Sequence, residues 1–213
     1  MATKLGLYNG ALVELGNERV TDTGEAVKAA RELTAVYSNV VNECLSAGSW
    51  NFAMETIKAT SDTGVTPAFG YTEVFAKPSD WLRTFAVSED EYFVNPLIHY
   101  YDDASFWSAD VSPLYFRYVS NDTGLGFELT RWTPKFTRFV ELELADRVCL
   151  AISQNNSLKE EVGKRRDKAR KEALNQDAMN EAQPKFRPTS SWTQARWGRT
   201  VGRDRRRSGS LIG

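Results

Sequence analysis

The period of the apolar residues changes twice along this chain, and that change limits the possible folds more than any single motif. Leu5, Tyr8, Leu12 and Leu15 recur at three- and four-residue spacing, one face of a helix. Gly16-Asn17 ends that helix with a residue able to take a positive φ. Thr21, Asp22 and Thr23 offer N-caps for a second helix, whose apolar face runs through Ala26, Ala29, Ala30, Leu33, Val36, Tyr37, Val40, Val41, Cys44 and Leu45 until Ser46-Ala47-Gly48 closes it. Neither helix is apolar all round, so the pair must pack on something else.

From Trp50 the alternation becomes two-residue, and a strand is predicted over 50–58. Ser61-Asp62-Thr63-Gly64 reads as a turn, and further strand-like runs lie at 69–75, 83–87, 92–95, 98–101 and 115–119. Pro67, Pro78, Pro96 and Pro113 punctuate them, and Ser120-Asn121-Asp122-Thr123-Gly124 is the last turn. Short strands with regular turns indicate an antiparallel sheet or small sandwich. Helical spacing returns at Thr133, a cap followed by Pro134 at the first helical position. Phe136, Phe139, Val140, Leu144, Val148, Ala151 and Ile152 give this third helix a broad inner face. Ser157-Leu158-Lys159-Glu160 reads as a capping box for a fourth helix, highly charged, with apolar contacts only at Leu158, Val162, Ala169 and Ala173. That helix belongs on the outside of a bundle or at a subunit boundary.

The predicted class is therefore α+β: a four-helix bundle with an inserted antiparallel β domain and an extended C-terminal arm. The expected divisions are residues 1–49 and 125–183 for the bundle, 50–124 for the β domain and 184–213 for the arm. The chain has 213 residues, 41% hydrophobic and 12% aromatic, enough to build real cores. No run of about eighteen apolar residues is present, so no helix is expected to span a membrane. The first residues lack the apolar core of a signal peptide and read as those of a cytoplasmic product. Cys44 and Cys149 fall within apolar helical patterns and read as buried free thiols, with no Cys-x-x-Cys or Cys/His cluster beside them.

The residues offer little for catalysis. His99 is the single histidine and reads as a partly buried strand residue. No Gly-x-Ser-x-Gly is present, no metal-ligand spacing appears, and Gly124-Leu125-Gly126 lacks the Lys and Ser/Thr of a phosphate loop. It reads instead as a hinge from sheet to helix. No catalytic, cofactor-binding or metal residue is assigned, and the chain is expected not to be an enzyme. Glu89, Asp90, Glu91, Asp102 and Asp103 stand near Tyr92, Tyr100, Tyr101, Phe106 and Trp107. Two carboxylates across an aromatic groove would suit a glycoside hydrolase, a minor alternative because nothing in the spacing sets their separation.

The last thirty residues differ from the rest. Lys185, Arg187, Arg196, Arg199, Arg203, Arg205, Arg206 and Arg207 face a single acid, Asp204, a surplus of seven positive charges. The whole chain sums to −1, so residues 1–183 carry −8. Phe186, Trp192 and Trp197 lie among these cations at irregular spacing, and Pro184 and Pro188 favour an extended start. Charge steers a partner in and buried aromatics hold it. Such an arm would dock on a neighbouring protein; the competing reading is DNA binding through the same cations, steeply dependent on salt.

Several segments stand in a definite order: Leu7-Tyr8-Asn9-Gly10-Ala11-Leu12-Val13-Glu14-Leu15-Gly16 with Val20-Thr21, then Ala47-Gly48-Ser49-Trp50-Asn51-Phe52-Ala53, then Lys77-Pro78-Ser79-Asp80-Trp81-Leu82-Arg83. Pro134-Lys135-Phe136 and the close Ser190-Ser191-Trp192-Thr193-Gln194-Ala195-Arg196 complete the pattern, which covers nearly the whole chain. In this order the segments resemble the head-to-tail adaptor family of short-tailed phages, also called tail tubular protein A. The arginines at 203–207 are not part of the pattern. The resemblance implies a structural virion protein at the head–tail junction, a dodecameric ring of this chain under the portal protein. Its far side would receive the tail nozzle or hub protein, and genomic DNA would pass through the channel without sequence-specific binding. Phe186, Arg187, Trp192, Arg196 and Trp197 are the expected portal-binding residues. No cofactor is implied.

Overall fold

A computed structural model describes residues 2–67 and 70–180. Helix α1 (Lys4–Glu14) starts where the Thr3 hydroxyl accepts the Gly6 N–H at 3.0 Å. It stops in a Schellman motif: Gly16 takes φ +70°, Asn17 N–H reaches the Leu12 carbonyl at 2.9 Å and Gly16 N–H that of Val13 at 3.1 Å. Helix α2 (Lys28–Ser46) follows a connection in which the Asn9 side chain holds Val20 through both its N–H and its carbonyl. The expected caps at Thr21, Asp22 and Thr23 do not start this helix. Glu25 takes the backbone N–H and hydroxyl of Thr21 instead, and α2 begins after Val27 with no side-chain cap.

Helix α3 (Pro134–Ile152) begins as its sequence indicates, with the Thr133 hydroxyl accepting Phe136 N–H at 3.3 Å and proline at the start. Helix α4 (Asn156–Asn180) is capped by Asn155, whose side chain accepts Leu158 N–H at 3.2 Å. Ser157, read as the cap, lies inside the helix. The reason is one of range: Asn and Ser are comparable cap acceptors, and only the backbone path into the turn decides between neighbours.

Helix α3 touches each of the other three. One hydrophobic cluster joins Leu7, Tyr8, Leu12, Leu33, Val40, Val41 and Leu45 to Phe136, Phe139, Leu144, Val148 and Val162. At its end sits an aromatic knot. Trp50, 1% exposed, has its ring centroid 4.7 Å from that of Phe136, which also meets Phe52 at 4.8 Å and Trp132 at 4.9 Å. Both indole N–H groups are satisfied, Trp50 by the Cys44 carbonyl and Trp132 by the Gly126 carbonyl. Charge ties the outer surface. Glu14 of α1, with a side chain 10% exposed, bonds Arg138 of α3 at 2.6 Å and Arg165 of α4 at 3.1 Å. Burial opposes its ionisation, but the two guanidiniums prevail and hold the carboxyl below its ordinary value.

The strands are β1 (Met54–Ala59), β2 (Glu73–Ala76), β3 (Trp81–Ser88), β4 (Tyr101–Asp102), β5 (Phe106–Ala109) and β6 (Leu114–Ser120). They make two antiparallel three-stranded sheets, ordered β1-β6-β3 and β2-β5-β4. The fold is mixed α+β. The period of two assigns the two faces of β6 to different cores. Leu114, Phe116 and Tyr118 join Phe75, Val87, Trp107 and Ala109 in a second cluster, while Val119 points into the helical one. Trp107 stacks on Phe116 at 4.2 Å and 13°.

Several strand expectations need correction. Residues Asn51–Ala53 form a turn of 3-10 helix, so β1 starts at Met54. Residues 92–95 and most of 98–101 are loop, whereas Phe106–Ala109, not foreseen, is a strand. Phe69 lies outside the described residues, and the strand expected from it begins at Glu73. Both cysteines are free and buried, as read.

Gly126 follows β6, where a Cβ would lie 2.2 Å from the Ser120 carbonyl oxygen and 3.0 Å from Leu45. A backbone oxygen cannot step aside. Gly126→Ala should therefore destabilise the fold by about 2–3 kcal/mol, measured by denaturant unfolding. Gly24→Ala, with nothing nearer than 4.0 Å, should be close to neutral; equal effects at both sites would contradict the packing described.

Candidate functional site

The residues expected to bind the portal, Phe186, Arg187, Trp192, Arg196 and Trp197, lie outside the described residues, as does the whole segment 184–213. The remaining chemistry sits in and around the sheets.

Several of the carboxylates weighed for hydrolysis have partners within the fold. Asp102 forms an ion pair with Lys77, which also donates to the Asp103 carbonyl. The Lys77 side chain is 3% exposed, and its ammonium lies 3.4 Å from the Trp81 ring centroid and 5.4 Å from that of Trp107. A buried ammonium needs such compensation, so Asp102 is committed to holding the 77–81 turn against the β4–β5 hairpin. The Asp103 carboxylate accepts the N–H of Ala104, and Asp90 accepts that of Val94 at 3.3 Å. Trp107, expected to line a groove, is a core residue at 0% exposure, with its indole N–H on the Thr84 hydroxyl. His99 is exposed and lies outside any strand. Among the described residues, no group of three or more His, Cys, Asp and Glu is arranged to hold a metal ion. No described helix is long and apolar enough to cross a membrane.

The structure brings together a cluster that sequence spacing did not reveal. Glu55 of β1, Asp80 in the turn before β3, and Tyr118 and Ser120 of the central strand β6 meet at one end of the first sheet. The Tyr118 hydroxyl lies 3.1 Å from Glu55 Oε2 and 3.2 Å from Asp80 Oδ2. It has one proton and two acceptors, so it serves both only when one carboxyl carries a proton. Ser120 Oγ donates to the same Asp80 oxygen, and the Asp80 carbonyl accepts Asn121 N–H at 2.8 Å. Burial, then the nearby Asp80 charge, raises the Glu55 pKa, although the Tyr118 hydrogen bond works the other way. Burial and Asp80 hold the Tyr118 phenol far above its ordinary value. The cluster spans residues 63 apart in sequence, which is why no local pattern announces it. A proton shared in this way would staple the Pro78–Trp81 turn onto the sheet.

The charged face of α4 is largely paired. Arg165 meets Glu14 and Glu161, Arg166 meets Asp146, Glu143 and Asp167, and Glu172 takes Lys135 and Lys168. Val162, Ala169, Ala173 and Asp177 are its buried positions. Asp177 accepts the Asn51 N–H, and Asn51 donates back to the Asp177 carbonyl at 3.0 Å. This exchange anchors the end of α4 beside the aromatic knot. A groove of about 510 Å³ between the starts of α1 and α3 is lined by Thr3, Leu7, Trp132, Arg138 and Glu141 among others.

Compared with known proteins, the chain matches no protein-family model and no curated protein.

The carboxyl cluster has a testable pH signature. Below the ordinary value of 4.5, Glu55 is protonated in both folded and unfolded chains and contributes no difference. As pH rises toward the raised folded pKa, the unfolded chain ionises first and stability falls. Glu55→Gln removes that loss and can still donate to Asp80. Its Tm should exceed that of the parent at pH 7, and the gap should close toward pH 4. A variant that is less stable at pH 7 but equal at pH 4 would contradict the proton-sharing account.

Proposed function

We propose that this chain is a head-to-tail adaptor of a short-tailed phage, a structural virion protein that forms a ring beneath the portal. The reading gives the ring as a dodecamer, with the portal protein on one side and the tail nozzle or hub protein on the other. Genomic DNA passes through its channel without sequence-specific contact. In this reading the four helices are one bundle, residues 50–124 are its inserted β domain, and 184–213 are an arm that leaves the body.

One observation carries the proposal. An acidic body at −8 is followed by thirty residues at +7 that hold Phe186, Trp192 and Trp197. A solvated tail has no need of three large aromatics, whereas a docking strap uses them as anchors. Two further features support it. The element order α1, α2, sheets, α3, α4 is that of the family, and Trp50 and the Pro78–Trp81 turn, both in segments that carry the resemblance, are built into the core and the sheet edge. Phe186, Arg187, Trp192, Arg196 and Trp197 are assigned to the portal.

The surplus of seven positive charges also supports a second reading, DNA binding through the arm. Binding would then fall roughly a thousandfold or more between low and moderate salt, which a gel shift at two salt concentrations reads directly.

Deleting residues 184–213 should leave a folded body with the parent's circular dichroism and abolish binding to portal protein. Trp192→Ala in the full chain should weaken that binding by about 2 kcal/mol, close to thirtyfold. Portal binding by the truncated chain at the parent's affinity would remove the arm from the account.

A further inference from the structure

The loop between β3 and β4 is built rather than loose, and it presents its apolar residues outward. Ser88 Oγ accepts Asp90 N–H at 3.1 Å and donates to the Asn95 carbonyl at 3.4 Å. The Asp90 carbonyl accepts Phe93 N–H at 3.2 Å, its carboxylate accepts Val94 N–H, and Leu97 N–H returns to the Val87 carbonyl at 2.7 Å. Phe93 is held at φ +54°, a conformation unusual for an aromatic residue, with the Arg117 guanidinium 4.4 Å from its ring centroid. The outcome is a fixed tip on which Tyr92, Val94 and Ile98 are 76%, 70% and 84% exposed. These are among the most exposed large apolar side chains of the described residues, and they lie on one loop.

Charge indicates what covers them. Glu89, Asp90 and Glu91 flank the tip, with Glu89 and Glu91 exposed. The neighbouring cation, Arg117, is engaged on Phe93. Lys135, Arg138 and Arg147 of α3 and Arg165 and Arg166 of α4 are met by acids of the same body. The chain has one run of cations with almost no acid beside it, Arg203, Arg205, Arg206 and Arg207, set between Val201 and Leu211-Ile212. It is a complement in both charge and apolar character. Arg203 lies twenty-three positions beyond Asn180, a reach of up to about 75 Å, against about 40 Å for the diameter of a body of this size. A second copy is within that reach.

We propose that the arginine run at 203–207 of one copy covers the acidic, apolar tip at 89–98 of a neighbouring copy. The contact joins unlike surfaces, the type that propagates around a ring. It gives a role to arginines that the portal-docking residues 186–197 leave unused, and it involves no portal, so it and the adaptor reading fail separately.

The test is a charge exchange in the full chain. One variant carries Glu89→Lys and Glu91→Lys, sparing Asp90 because it builds the loop. The other carries Arg203→Glu, Arg205→Glu, Arg206→Glu and Arg207→Glu. Mass is measured by sedimentation at low ionic strength, with circular dichroism as the control for folding. The parent should self-associate, less so at ~0.5 M salt, and each variant alone should associate at least about tenfold more weakly. An equimolar mixture of the two variants should recover association, since the glutamates of one arm then meet the lysines of the other tip. A parent that stays monomeric, variants that associate as well as the parent, or a mixture that does not recover would each overturn the contact. A third variant, Tyr92→Ser with Ile98→Ser, reads the apolar part and should also lose association.

Discussion

The burial of Trp50 is the constraint on which the rest of the structure depends. It follows α2 directly, and its indole N–H bonds the Cys44 carbonyl in the last turn of that helix. The ring then packs against Phe136 and Phe139 of α3 and Phe52 of the 3-10 turn. Gly48 is small because a Cβ there would press on Trp50 and on Leu174 of α4. One side chain thereby holds together the exit of α2, the start of α3 and the entry to the first sheet. Aromatic pairs at such separations add roughly 0.5–1.5 kcal/mol each beyond the area they bury. The knot is therefore energetically large as well as central.

The sheets are tied in by another device. Strand β6 gives Val119 to the helical core and Leu114, Phe116 and Tyr118 to the second one. Two polar clusters then hold the turn at 77–81, Lys77 with Asp102 between two tryptophans, and Asp80 with Tyr118, Glu55 and Ser120. Each is an investment in orientation, since a buried charge stabilises little unless its partner is in place. With these acids and cations committed to the fold, the proposed interactions are assigned elsewhere, to the tip at 89–98 and to the basic segment 184–213.

Local chemistry was legible in the sequence, and contacts across long separations were not. Thr133-Pro134 announced α3, Gly16-Asn17 announced the end of α1, and the sparse apolar positions of α4 were identified, because caps and periodicity act within a few residues. The start of α2 was misplaced because Thr21, Asp22 and Thr23 are equally good turn residues, and Glu25 drew them into a turn. Residues 92–95 look like a strand by composition, but a strand exists only with a partner, and none pairs there. Phe106–Ala109 pairs over its whole length only with Glu73–Ala76, at least thirty residues away, and its nearer partner, Tyr101–Asp102, is only two residues long. The Lys77 cage and the Glu55–Asp80–Tyr118 cluster are invisible to any spacing rule. The residues expected to bind the portal were read from charge and aromatic content, with the portal itself implied by the resemblance, and they fall outside the described residues.

The central claim is that residues 184–197 carry binding energy to another protein. Amide hydrogen exchange across the full chain, with and without portal protein, addresses it directly. The account predicts protection gained over 184–197, with the core around Trp50 unchanged. Identical exchange of that segment in both states would contradict it.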